Sequence, residues 1–128
     1  MPRLDRDASA SGPLIQAFAG NGFRVDGNVF AEGVKLTPVS ASSWHAPSLD
    51  ILAEEHIEDI LALTPAPEFL LLGTGSSLRR PSPALIEAVE QRGFGIEIMD
   101  SRAAARAWGV LRGEDRWIAA ALLPLGEP

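Results

Sequence analysis

The amino-terminal half of the chain alternates short apolar runs with turn sequences. Asn21-Gly22 and Asp26-Gly27 are dipeptides typical of the turn between two paired strands. Val34 and Leu36 alternate with polar neighbours, as side chains do in a half-buried strand. The pattern predicts a β-meander whose strands lie at 14–19, 23–25, 28–31 and 34–37.

Helical spacing replaces this alternation after Pro47. One apolar face with a period of about 3.6 residues predicts a helix that begins within 49–54 and ends before Pro65. The acidic side chains of this segment then face water. The residues that form the apolar face are Ala53, Ile57, Ile60 and Leu61.

Two nearly continuous apolar runs predict parallel strands. Residues 68–72 and 95–99 show the pattern of strands that are covered on both faces, and a last strand is predicted at 116–123. The resulting order β-α-β-α-β is typical of an α/β fold. We expect the two runs at the centre of the sheet, with the amino-terminal meander (14–37) as a second β-layer over it.

Two further helices connect these strands. Ser82 and Pro83 predict the N-cap and the first residue of one helix, which ends at Gly93. Asp100 or Ser101 is the expected cap of the other. The side chains of this last helix expected to face inward are Ala103, Ala104, Ala107 and Leu111.

Length, charge and cysteine content limit the possible domain organisation and the possible partners. The chain has 128 residues, for which we expect a flexible polar tail at 1–13 and a single α/β domain at 14–128. The net charge is −6, the basic residues are scattered, and five acidic residues lie within 50–59, so a nucleic-acid partner is not expected. Cysteine is absent, which excludes disulfides and thiolate metal sites.

The location is predicted from the same composition. No apolar run approaches the ~20 residues that a membrane span requires. The first 20 residues mix Arg3 and Arg6 with Asp5 and Asp7 and lack an apolar stretch, so neither a secretory signal nor a transit peptide is expected. We therefore expect a soluble cytoplasmic protein that holds no cofactor.

Two predicted strand ends can hold a ligand. Loops 73–80 and 100–102 follow the two parallel strands and should be neighbours at one edge of the sheet. If a ligand binds, we expect a small anion held by backbone N–H groups, by Arg79 and by a helix N-terminus, with Asp100 capping its own helix. The alternative is that the glycines serve only a tight turn and the arginines are solvated. The candidate ligand-binding residues are Gly73, Thr74, Gly75, Ser76, Ser77, Arg79, Asp100 and Ser101.

Other candidate chemistry is less supported. His56 and Asp59 have helical spacing, but carboxylates on a helix surface rarely converge on one ion, and no metal site is predicted. The sequence Gly75-Ser76-Ser77-Leu78-Arg79 is not Gly-x-Ser-x-Gly, so no hydrolase nucleophile is expected. Asp100 is more typical of a helix cap than of a general base, and no catalytic residue is predicted. Side chains expected in the core or at an interface rather than stacked on a ligand are Trp44, Trp108 and Trp117.

Several of these motifs resemble a known family. The glycine loop Gly73-Thr74-Gly75 with its following Arg79, the pair Asp100-Ser101 and Ala104 match family positions, with Ser101 in place of Thr. The chain is similar to a family of small uncharacterised α/β domains that includes the mitochondrial complex I assembly factor three and many bacterial and archaeal proteins of unknown function. Ala107-Trp108-Gly109 departs from the Thr-Tyr-Asn of many relatives, which counts against catalysis at this helix.

The resemblance implies a fold and two functional hypotheses. It implies three layers with a mixed central sheet, helices and an extra β-layer, and no established catalytic activity. The leading hypothesis is a non-catalytic interaction or assembly-factor-like protein with a protein partner. The alternative is a small-molecule or anion-binding protein, or an enzyme, that uses the 73–80 and 100–102 loops.

Overall fold

The strands form two sheets in the computed structural model, which describes residues 12–126. Three antiparallel strands form the first: β1 (Ile15–Ala19), β2 (Gly22–Val25) and β3 (Asn28–Phe30). Five strands form the second: β4 (Val34–Leu36), β5 (Ala41–Ser43), β6 (Phe69–Gly73), β7 (Gly95–Met99) and β8 (Ala119–Leu122). Their spatial order is β5-β4-β8-β6-β7. The second sheet is mixed, because β6 is parallel to β7 and β8 whereas β4 is antiparallel to β5 and β8.

Helices α2 (Pro83–Gln91) and α3 (Ser101–Gly113) connect the parallel strands. Their predicted caps are confirmed. The Ser82 hydroxyl oxygen accepts a hydrogen bond from the Leu85 N–H at 3.2 Å, and a carboxylate oxygen of Asp100 accepts one from the Ala103 N–H at 2.9 Å. Each cap satisfies one of the backbone donors that a helix start leaves without a partner.

The helix predicted between Pro47 and Pro65 is interrupted. Two 3-10 turns, Leu49–Ile51 and Glu54–Ile57, precede a short helix α1 (Glu58–Leu61). Ala53 has an extended backbone, and its N–H donates to Nδ1 of His56 at 2.9 Å instead of to a helical carbonyl. The side chain of His56 therefore begins a new turn where periodicity alone predicts a continuous helix.

Both faces of the mixed sheet are covered. Leu70, Leu72 and Ala121 pack with α1 and α2 on one face, while Leu71 and Ala120 pack with α3 and the three-stranded sheet on the other. All five side chains are fully buried. The helices, the mixed sheet and the extra β-layer are therefore arranged in three layers, as expected.

Two expectations about the strands are wrong. The run at 95–99 pairs in parallel with β6 as predicted, but it forms the edge strand β7, and its residues Gly95 and Glu97 are exposed. Val34–Leu36 was expected in the meander and instead joins the mixed sheet beside β8. Hydrophobic patterns report which faces are buried and not which strands are neighbours.

The inward face of α3 is shifted from the expected one. Ala104 is buried as predicted, but Ala103, Ala107 and Leu111 are only partly buried. Trp108 is fully buried, and its indole N–H donates to the Pro13 carbonyl at 2.9 Å. Burial of this large side chain sets the helix register, since several alanines leave alternative registers nearly equivalent. The inward residues are Ser101, Ala104, Ala105, Trp108 and Arg112.

The tail expected at 1–13 falls mainly outside the described residues, so it stays a prediction. Pro13 is buried and is held by its hydrogen bond to Trp108. Within residues 12–126, no helix has the length and apolar character needed to cross a membrane.

Candidate functional site

The two strand ends expected to be neighbours do meet. The Thr74 N–H donates to the Met99 carbonyl at 2.8 Å, and the Ser101 N–H donates to the Gly75 carbonyl at 2.8 Å. The loop after β6 thus extends the pairing of β6 with β7 as far as the start of α3. The prediction that 73–80 and 100–102 lie together is confirmed.

Ser101 holds this loop from inside the protein. Its hydroxyl oxygen accepts a hydrogen bond from the Gly75 N–H at 2.8 Å and donates to the Leu123 carbonyl at 2.7 Å. A Cβ atom on Gly73 would lie 2.7 Å from the same oxygen, so glycine is required for this close approach. Ser101 is fully buried, and its hydroxyl joins three segments of the chain.

Thr74 has a similar structural position. Its hydroxyl donates to the Ser77 carbonyl at 2.7 Å and accepts a hydrogen bond from the Arg79 N–H at 3.2 Å. Only 2% of Thr74 is exposed. The N–H groups of Thr74, Gly75 and Arg79 therefore all donate within the loop and its neighbours, which fixes the loop's conformation.

Arg79 is the exposed cation of the loop. Its Nη2 donates to a carboxylate oxygen of Asp50 at 3.1 Å, with the two side chains 43% and 82% exposed. The pair connects the 73–80 loop to the first 3-10 turn. Ser76 and Ser77, the other exposed residues predicted at this site, lie on the same loop.

Asp100 and Arg102 do not join this group. Asp100 caps α3, as the site prediction assumed. Arg102 lies over the ring of Phe18, with 5.3 Å between the guanidinium carbon and the ring centroid. The 100–102 loop therefore supports α3 and the three-stranded sheet, and none of its side chains lines the cleft beside the 73–80 loop.

A cleft of about 360 Å³ opens beside the 73–80 loop. One wall consists of residues predicted from the sequence, including Ser76, Ser77 and Arg79. The other lining residues are not predicted from the sequence, because they come from separate segments and carry no shared motif. These residues are Asn21, Ala31, Glu32, His45, Ala46, Pro47, Ser48, Leu49, Leu123, Pro124 and Gly126.

The cleft combines apolar surface with two polar pairs at its rim. Nδ1 of His45 lies 2.8 Å from a carboxylate oxygen of Glu32, and both side chains are largely exposed. The second pair is Arg79 with Asp50. A concave site with apolar walls and a few polar groups is the usual form of a small-molecule site.

The acidic 50–59 stretch is more structured than a solvated face. Arg92 donates to Glu54 at 2.8 Å and to both carboxylate oxygens of Glu58 at 3.0 and 2.9 Å. These hydrogen bonds lower the pKa of Glu58 and raise the pKa of Arg92. Asp59, proposed above as a possible metal partner of His56, instead accepts a hydrogen bond from Nζ of Lys35 at 2.9 Å.

The tryptophans belong mainly to the packing. Trp108 is fully buried and Trp44 is 7% exposed, which confirms their core positions. Trp117 is partly buried, and its indole N–H donates to the Pro65 carbonyl at 3.3 Å.

The chain matches known proteins over most of its length. Residues 15–123 match a family model described as protein of unknown function (DUF498/DUF598). A zebrafish (Danio rerio) relative named NADH dehydrogenase (ubiquinone) 1 alpha subcomplex assembly factor 3 is 30% identical over 121 residues, which are 94% of this chain and 69% of the relative. The chain spans between 60% and 69% of the length of this relative and its Xenopus and bovine counterparts.

Solved bacterial structures share the fold. An NMR structure of a Xanthomonas campestris protein is 32% identical, with a TM-score of 0.77 and coverage of 100% of this chain and 96% of that one. A crystal structure of a Bordetella parapertussis protein is 27% identical, with a TM-score of 0.80 and coverage of 90% and 98%. The arrangement of two sheets and connecting helices is thus common to this group.

Proposed function

Because the chain belongs to the DUF498/DUF598 family, we propose that it is a non-catalytic protein-interaction module of the assembly-factor type. The observation that carries this proposal is the 30% identity to assembly factor 3, which extends over 94% of the chain. The aligned part is thus nearly the whole chain and not one motif. The partner we propose is a protein, whose identity does not follow from the relative's name.

Two exposed apolar side chains beside the cleft support an interaction surface. Ile51 is 65% exposed and Leu78 is 63% exposed. Each is next in sequence to one member of the Asp50–Arg79 ion pair, which places the two segments side by side. Exposed apolar side chains that lie together are typical of a protein-binding surface.

The test is affinity capture of the full chain from its source cell. We expect a recurrent protein partner with the natural sequence, and at least tenfold less of it with the double variant Ile51→Asp and Leu78→Asp, since loss of a central contact costs about 2 kcal/mol or more. Val110→Asp is the matched control, because Val110 is a similarly exposed apolar side chain (62%) on a different element, α3. A partner that the double variant retains in full, or no recurrent partner, would contradict the proposal.

A second candidate function is small-molecule binding. The cleft beside Arg79 favours it, since its volume of about 360 Å³ lies within the usual range for ligand sites. This candidate retains the prediction that 73–80 contacts a ligand. We also propose a cytoplasmic location, which stays a prediction.

A further inference from the structure

We infer that the cleft binds a monocarboxylic acid with an apolar body, and that Arg79 receives the carboxylate. The inference rests on the second candidate function, small-molecule binding, and names the class of ligand. It does not depend on the protein-interaction proposal. Three features support it: the hydrogen-bonding state of Arg79, the apolar wall and the arrangement of the loop N–H groups.

The guanidinium of Arg79 has N–H donors that make no hydrogen bond within residues 12–126. Within residues 12–126 its guanidinium makes one hydrogen bond, from Nη2 to Asp50. A guanidinium has five N–H donors in a planar fork that matches the two oxygens of a carboxylate. Asp50 is 82% exposed, and ion pairs between exposed side chains contribute little to stability. A ligand carboxylate can therefore bind beside Asp50 or replace it at little cost.

Apolar surface lies within the same cleft. Ala46 and Pro47 are partly exposed and line the cleft together with the small exposed parts of Leu49 and Leu123. An alkyl or aryl group placed against this surface leaves water, and the burial of its CH₂ groups favours binding. The apolar wall thus favours a ligand with a hydrocarbon body over a small inorganic ion.

The backbone disfavours the phosphate cradle expected from the glycine loop. The N–H groups of Thr74, Gly75 and Arg79 already donate to protein oxygens. Helices α2 and α3 are capped by Ser82 and Asp100. Glu32 adds a negative charge to the cleft, which also disfavours a dianion. Arg79 is the one arginine or lysine among the described residues that line the cleft, and a single carboxylate matches its guanidinium fork.

The experiment is an NMR titration of the full chain with three six-carbon probes: hexanoate, 1-hexanol and hexylamine. We expect hexanoate to shift the backbone amide signals of Ala46, Ser77 and Arg79, and to bind about tenfold more tightly than the other two, as a hydrogen bond to a charged group implies. Arg79→Gln should reduce hexanoate binding to the level of 1-hexanol. Arg80→Gln is the matched control, because Arg80 is exposed and lies outside the cleft.

Phosphate is titrated in parallel. It distinguishes a wrong ligand class from the absence of small-molecule binding. Equal affinity for hexanoate and 1-hexanol, hexanoate binding that Arg79→Gln leaves intact, or shifts away from the cleft would overturn the assignment. Phosphate binding that depends on Arg79 and exceeds hexanoate binding would preserve the small-molecule function and refute the ligand class. Absence of binding by every probe would refute both.

Discussion

The hydroxyl oxygen of Ser101 lies 2.8 Å from the backbone nitrogen of Gly75. Ser101 is on the first turn of α3, which follows β7, whereas Gly75 is in the loop after β6. The same hydroxyl donates to the Leu123 carbonyl, just after β8. One small side chain thus joins the loops that follow β6 and β8 to α3. The position of Arg79 depends on this arrangement, because its backbone N–H donates to Thr74 in the same loop.

Ser101→Ala should destabilise the protein. The change leaves a buried N–H donor at Gly75 and a buried carbonyl at Leu123 without their partner. Each group left without a hydrogen bond costs about 1–3 kcal/mol. Urea denaturation measures the loss in the free energy of unfolding. Ser42→Ala is the control, since Ser42 is exposed on the edge strand β5 and should change stability by no more than about 0.5 kcal/mol. Equal stability of the two variants would show that the Ser101 hydroxyl does not hold the loop.

Two glycine-to-alanine changes should have opposite effects. Gly75 has a φ angle of +103°, where alanine is strained, and Gly75→Ala should lower the free energy of unfolding by about 1–2 kcal/mol. Gly109 lies on the exposed face of α3, and a Cβ there would meet nothing within 4 Å. Gly109→Ala should raise stability by about 0.5–1 kcal/mol, because alanine loses less backbone entropy in a helix. Thermal denaturation of both variants checks the signs, and a stabilising Gly75→Ala would contradict the loop conformation.

The bond between Arg92 and Glu58 should make stability depend on pH. Hydrogen bonding to Arg92 holds the pKa of Glu58 below its usual 4.5. A carboxylate whose pKa is lower in the folded state stabilises the protein above its unfolded-state pKa, and this contribution is lost as pH falls through the folded-state pKa. The difference in the free energy of unfolding between the natural protein and Arg92→Gln should therefore be largest near neutral pH and decrease as the pH falls.

Denaturation midpoints measured from neutral pH into the acid range test this sign. Arg80→Gln also removes one exposed arginine, but no ion pair of Arg80 is found among residues 12–126, so its difference from the natural protein should vary little. An Arg92→Gln difference that grows as pH falls would have the wrong sign for this pair.

Local signals predicted the local structure well. The caps Ser82 and Asp100 and the strand Gly95–Met99 are confirmed, because each depends on neighbouring residues. The parallel pairing of that strand with β6 follows from the β-α-β order of the elements. The spatial order of the strands could not be predicted from such local signals. That β8 separates β4 from β6 follows from packing of the whole chain, and nothing in the apolar pattern of Val34–Leu36 indicates which sheet it joins.

Only the part of the candidate site that lies on one continuous segment could be predicted from the sequence. Arg79 and the loop after β6 follow from a motif at the end of a strand. Glu32, His45 and Pro47 have no common spacing with that motif, and they reach the cleft only through the turns that precede them. The inward direction of the Thr74 and Ser101 hydroxyls was also hidden, since a hydroxyl can satisfy its own backbone as readily as a ligand.

The central place of β8 bears on how the chain is made. In the cell the polypeptide emerges from the ribosome with its amino end first, and β1, β2 and β3 can pair as soon as they appear, since their contacts are local. The mixed sheet cannot close then, because Val34 pairs with Leu122, which lies in the last strand to be made of this sheet. Until β8 emerges, β4 and β6 each lack the neighbour that lies between them, and both present unpaired edges to other proteins. A nascent chain is therefore exposed to wrong pairing until β8 has been made.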